Sequence, residues 1–181
     1  LNNIQRRVAE NYLKSIVNAN KKARKITSFQ QIKTIGILYD ASDEKNIQEV
    51  KLATKKLNAL GKEIYTLGYI NKKTIPLDLE PHTKDDYYCK KDLHWYQLPI
   101  KERISRFANE NFDYLLNVYT ANQLPLIGVS AMSKANCRLG TFHKRYTACF
   151  DIMMDEKGTM SITDLLDAFL LNLYKLKNET P

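Results

Sequence analysis

The chain has 181 residues, 44% of them hydrophobic and 27% charged, a balance that excludes a disordered or fibrous protein and suits one α/β domain with an appendage. The longest apolar segment, residues 165–176, is broken by Asp167, Asn172 and Lys175 and is too short to span a bilayer. Three cysteines, Cys89, Cys137 and Cys149, lie far apart in odd number, which excludes a disulfide framework and points to a reducing, cytoplasmic setting.

The net charge of +8 is concentrated at the front. Residues 1–33 carry eight Lys/Arg against the single acid Glu10, a net +7, so the remainder is nearly neutral. Within this leader, which opens at Leu1 with no signal-peptide pattern, Ile4, Val8, Tyr12, Ile16 and Val17 recur at helical spacing and predict a helix over residues 3–24. Its apolar stripe is free to dock on the body while Arg6, Arg7, Lys14 and Lys21 stay outside. Residues 26–31 read as a connector with a turn at Thr27 or Ser28.

Next comes Thr34-Ile35-Gly36-Ile37-Leu38-Tyr39-Asp40, a short apolar run ending in an acid, which predicts a buried first strand of a parallel sheet. Asp43 caps a helix whose face is Ile47, Val50, Ala53, Leu57 and Leu60, and Gly61 ends it. Residues 63–70 alternate as a second strand. Periodicity then stops over residues 71–99, where Pro76, Pro81 and Pro99 punctuate a stretch rich in Tyr87, Tyr88, His94, Trp95 and Tyr96, read here as an ordered excursion packed over one end of the sheet. A helix follows on Ile100, Ile104 and Phe107, then a strand at 112–119 and a helix on Leu124, Ile127, Ala131, Met132 and Ala135. Strands at 137–142 and 149–154 precede a final helix capped by Ser161 and buried through Ile162, Leu165, Leu166, Phe169, Leu170 and Leu173.

This alternation predicts an α/β, three-layer sandwich with a mainly parallel five-stranded sheet in the order 2-1-3-4-5, Rossmann/flavodoxin-like, over residues 34–181, preceded by a basic N-terminal helix and connector over 1–33.

In such a sheet ligands bind beyond the carboxyl ends of the strands, which makes Asp40, Ser42, Thr120 and His143 the candidate rim. The first loop, Asp40-Ala41-Ser42-Asp43-Glu44, has no glycine and three acids, so it offers phosphate no cradle and no cofactor is expected. His82, His94 and His143 form no metal-binding pair, and Ser130 and Ser133 sit in no nucleophile elbow, so neither metal ligands nor catalytic residues are assigned. The leader carries the stronger signal: Arg6, Arg7, Lys14, Lys21, Lys22, Arg24 and Lys25, joined by Lys144 and Arg145 after the fourth strand, would attract a polyphosphate backbone. With no helix-turn-helix or zinc-finger pattern and an apolar stripe too narrow for a bilayer surface, the partner expected is RNA rather than a specific DNA sequence or a membrane.

The basic leader, Ile35-Gly36-Ile37-Leu38-Tyr39-Asp40-Ala41, Ile75-Pro76-Leu77 through Glu80-Pro81, Lys90-Lys91-Asp92-Leu93-His94-Trp95, Phe112-Asp113-Tyr114-Leu115-Leu116 and Ser130-Ala131-Met132-Ser133-Lys134-Ala135 together resemble a conserved bacterial family of unknown function. That resemblance spans nearly the whole chain and transfers no catalytic residue. Residues 112–142 are also similar to the amino-terminal half of heptosyltransferase-like glycosyltransferases. A half without the second, nucleotide-sugar domain implies binding rather than transfer. The functional expectation is a non-enzymatic, ribosome-bound protein with rRNA or other structured RNA and ribosomal proteins as partners. The alternatives are a small-molecule-binding enzyme or sensor using the rim, and an interaction subunit of a larger assembly.

Overall fold

In the computed structural model, which describes residues 2–21, 23–119, 123–155 and 160–175, β1 (Thr34–Asp40) lies inside a parallel sheet. It pairs with β2 (Glu63–Ile70) on one side and, across the sheet, with β4 (Tyr114–Val118) on the other. With β3 (Asp85–Cys89) beside β2, and β5 (Cys137–Thr141) and β6 (Ile152–Met154) beyond β4, the order is β3-β2-β1-β4-β5-β6. The helices are α1 (Asn3–Ala19), α2 (Glu44–Ala59), α3 (Lys101–Ala108), α4 (Leu124–Met132) and α5 (Ile162–Lys175).

The five strands anticipated from the sequence stand in the anticipated order, and the sixth, β3, comes from the excursion. It begins Asp85-Asp86, a poor strand opening, and the structure supplies partners for both acids. The Thr66 hydroxyl donates to Asp85 Oδ1 at 2.9 Å, and the Arg103 guanidinium grips both oxygens of Asp86 at 3.0 Å while also donating to the Tyr87 carbonyl. Acids on an edge strand also discourage pairing with another chain.

Alternation sorts the strand side chains onto two faces. Ile35, Ile37, Tyr39, Tyr87, Leu116 and Leu139 meet α2 and α5 on one side, whereas Leu38, Leu67, Tyr88 and Leu115 meet α1, α3 and α4 on the other. Gly36 is required on that second side: a Cβ there would lie 2.7 Å from the Phe112 ring. At the end of α2, Gly61 adopts φ +74° while the Gly61 and Lys62 amides bond back to Asn58 and Leu57, closing the helix in a Schellman turn. The β2–β3 crossover, residues 71–84, contains no helix. Leu79 and Ile75 cover the sheet in its place, leaving an open groove of about 560 Å³ beside α2.

The leader is part of the second layer. Reciprocal bonds between Asn2 and Gln5 cap the start of α1. Its buried residues are Ala9 and Leu13, which the predicted stripe did not include; Tyr12, Ile16 and Val17 of that stripe pack at the margin and Ile4 is exposed, because the helix is turned to set its small Ala9 against the core. The helix stops at Ala19, short of the expected residue 24. Asn20 turns out to donate its amide to the Ala131 and Ser133 carbonyls at the end of α4, at 3.0 and 2.8 Å, satisfying acceptors that the helix leaves open.

The Asp86–Arg103 bond sets an acid limit on stability. Burial would raise the Asp86 pKa, but the bonds from Arg103 and the Tyr87 amide, with the Arg106 charge, outweigh burial and leave it below the ordinary carboxylate value. A depressed folded pKa contributes stability above the unfolded value of about 4 and loses it as pH falls through the lower folded value. Urea unfolding of Asp86→Asn should show a loss of about 1–3 kcal/mol at pH 7 that shrinks towards pH 3; an unchanged difference across that range would contradict the assignment.

Candidate functional site

The rim predicted from the sequence divides into two parts. Asp40 and Ser42 stand together after β1. Asp40 Oδ2 accepts from Gln123 Nε2 at 2.6 Å, Asp40 Oδ1 accepts from the Ser42 amide at 2.9 Å, and Ser42 Oγ accepts from the Asn71 amide at 2.9 Å. Both carboxylate oxygens are therefore engaged in fixing the turn rather than presented as a base. His143 stands apart on the β5 side, stacked on Tyr146 at 4.9 Å, with its Nδ1 accepting from the Arg145 amide at 3.3 Å. Burial, reinforced by the Arg145 charge, lowers its pKa and favours neutral imidazole. Thr120 and Lys22 lie outside the described residues.

The cations of the leader are not equivalent. Arg24 is bound to the body: its Nη1 donates to the Ala135 carbonyl at 2.6 Å, and its Nε lies 3.5 Å from Asp151. Burial and the neighbouring Arg138 lower its pKa, with Asp151 opposing them. Asp151 meanwhile bonds Arg138, a buried strand cation, at 2.8 and 2.9 Å. Arg24 is thus an anchor. Arg6, Arg7, Lys14, Lys21 and Lys25 are exposed and form no ion pair among the described residues.

Folding brings the second predicted cluster to the leader. Lys144 and Arg145 are exposed, and Arg145 Nε lies 3.6 Å from Glu10 of α1. Arg6 and Arg145, 139 positions apart in the chain, share a cleft of about 440 Å³ with Tyr69, Asn71, Gln97, Gln123 and Tyr146. A second hollow of about 350 Å³ runs on between Lys14 and Arg145. The excursion closes against α1 as a tight turn, with Gln97 at φ +67°: Tyr96 meets Tyr12 at 5.7 Å, and Gln5 Nε2 donates to the Trp95 carbonyl at 3.0 Å, leaving the Trp95 indole 58% exposed beside the basic helix.

Asn71, Gln97 and Gln123 were not singled out from the sequence. Isolated carboxamides in irregular segments carry no motif, and only the fold gathers them. Among the described residues no three His, Cys, Asp or Glu side chains converge to hold a metal ion, and no helix is long and apolar enough to cross a membrane. The cysteines are buried, and burial first of all pushes the Cys137 and Cys149 thiols up to about 12 and 11, so neither is a ready nucleophile.

The fold and rim define a Rossmann-like α/β protein with a cleft of arginines and carboxamides beside its carboxyl-end rim. The chain belongs to the family of unknown function DUF6913, whose model matches residues 5–170. No curated protein and no solved structure matches it.

Two substitutions test this account of the packing. Asp151→Ala strands the buried Arg138 and should cost about 3–5 kcal/mol in urea unfolding; a change under about 1 kcal/mol would show that the cluster is solvated. The Tyr88 hydroxyl is buried without a hydrogen-bond partner among the described residues, and burial drives its pKa well upward. Tyr88→Phe should therefore leave stability unchanged or raise it by up to about 1 kcal/mol, and a loss of that size would mean the hydroxyl has a partner.

Proposed function

We propose that this protein binds RNA, on the ribosome in particular, through the edge formed by α1 and residues 142–146. The observation carrying the reading is that α1 docks through Ala9 and Leu13 while Arg6, Arg7 and Lys14 remain exposed and without ion-pair partners among the described residues. Arg145 extends the same edge from a distant part of the chain.

Helix stability does not account for these cations. Arg6 and Arg7 follow directly on the first turn of α1, the end at which the helix dipole disfavours positive charge, and the last turn contains no basic residue. A chain of phosphates would offset that repulsion. The exposed Trp95 favours RNA with unpaired bases over duplex DNA, because an aromatic face beside a cationic track is how single-stranded bases are held by stacking.

Four phosphate contacts, from Arg6, Arg7, Lys14 and Arg145, give an expected slope of about −3 for log affinity against log salt, with each Arg→Gln or Lys→Gln change removing about one unit. Fluorescence anisotropy with a labelled rRNA hairpin and its fully paired counterpart measures this, and Trp95→Ala should cost about 1–3 kcal/mol on the looped RNA only. Co-sedimentation with ribosomes in low salt should be lost in the Arg6→Glu, Arg7→Glu, Lys14→Glu triple variant. An unaltered slope, or ribosome binding that survives the triple change, would refute the proposal.

A further inference from the structure

The cleft between Arg6 and Arg145 is lined by three carboxamides, Asn71, Gln97 and Gln123, that the RNA reading does not use. It lies beyond the end of β2 and at the start of α4, beside the β1/β4 boundary where the chain order reverses, the position at which open α/β sheets bind small ligands. Its size is that of a small-molecule pocket.

The charged side chains lining it are both guanidinium groups, Arg6 and Arg145, and the carboxamides of Asn71, Gln97 and Gln123 supply neutral donors around them. Among the described residues no carboxylate lines the cleft. Asp40, the nearest acid along β1, is turned to Gln123 and to the Ser42 amide. Glu10 approaches Arg145 at 3.6 Å, but that pair is partly exposed and therefore weak. The first turn of α4 adds the positive end of a helix with neither a side-chain cap nor an acidic residue.

We infer that this cleft binds a small phosphate monoester, with the phosphate between Arg6 and Arg145 and the rest of the molecule against Asn71, Gln97 and Gln123. Two guanidinium groups reaching one anion from separate elements can each fork onto phosphate oxygens, so that together they engage all three terminal oxygens and balance the dianion's charge. The first loop, with its three acids, takes no part. The phosphate is displaced towards α1 and α4, so the absence of a glycine-rich loop does not bear on it.

This inference stands apart from RNA binding, although Arg6 and Arg145 belong to both surfaces. The full chain is titrated by calorimetry with AMP and with glucose 6-phosphate, against adenosine, glucose and sodium chloride of equal ionic strength. At least one phosphate monoester should bind with a dissociation constant below about 1 mM, and its dephosphorylated partner should not. Arg6→Gln and Gln123→Ala should each weaken it at least about tenfold, whereas Arg7→Gln with Lys14→Gln should leave it unchanged while reducing RNA affinity. Gln123→Ala should leave RNA affinity intact. Phosphate binding that falls with Arg7 and Lys14 but ignores Gln123 would overturn the cleft and keep the basic edge. Absence of any heat beyond the salt control with both esters would overturn it as well. Because Arg6 is exposed, Arg6→Gln keeps the test valid even where Gln123→Ala disturbs the turn.

Discussion

The seating of α1 beside α4 in the second core layer is the contact on which the rest of the molecule depends. A fully buried leucine such as Leu13 contributes on the order of 1.5–3 kcal/mol and a buried methyl such as that of Ala9 about 0.8 kcal/mol, and without the helix the cluster containing Leu38, Leu67, Tyr88 and Leu115 would lose both from its cover. Polar bonds then fix its position. Asn20 closes the carbonyl end of α4, and Arg24 reaches the Ala135 carbonyl and Asp151. The hydrophobic term supplies the strength, and the hydrogen bonds set the register.

This docking also decides what the charge of the leader means. A basic segment on a flexible tether would be a diffuse electrostatic lure, with its cations free to spread. Held against α4, the same segment is a rigid edge whose cations stand at fixed spacing, about 1.5 Å of axial rise per residue along α1. Arg24 is drawn inward to complete the Asp151 cluster, and Arg145 is added from the β5 loop. The surface is therefore not the set of basic residues nearest the amino terminus but the subset that folding leaves outside, enlarged by Lys144 and Arg145 from the β5 loop.

Much of the architecture was legible because its signals are local. Asp43 does cap α2, Gly61 does end it with a positive φ, and the Ser161 hydroxyl bonds Asp164 at the head of α5. The run from Thr34 to Asp40 is the inner strand it reads as. β3 was not legible, because its opening acids are tolerated only through Thr66 and Arg103, partners 19 and 17 residues away. The end of α1 was misplaced for a similar reason: Asn20 leaves the helix for acceptors on α4 more than a hundred residues later. Local rules place an element's core, whereas long-range bonds trim its ends and rescue unfavourable compositions.

The rim is the extreme case of that limit. Asp40 and Ser42 were identifiable from their place after the first strand, but their hydrogen bonds show the acid spent on the turn, with Gln123 held in place by it. The groups that give the neighbouring cleft its character come from five separate segments and share no spacing. Such a site exists only when α1 is docked, since the docked helix supplies one of its two arginines. Two like charges brought to one cleft in this way repel each other, and folding carries that cost in the absence of an anion. A negatively charged partner of the kind proposed, whether one phosphate or a strand of them, would relieve it, and its binding and the docking of the first helix would then strengthen each other through the same pair of side chains.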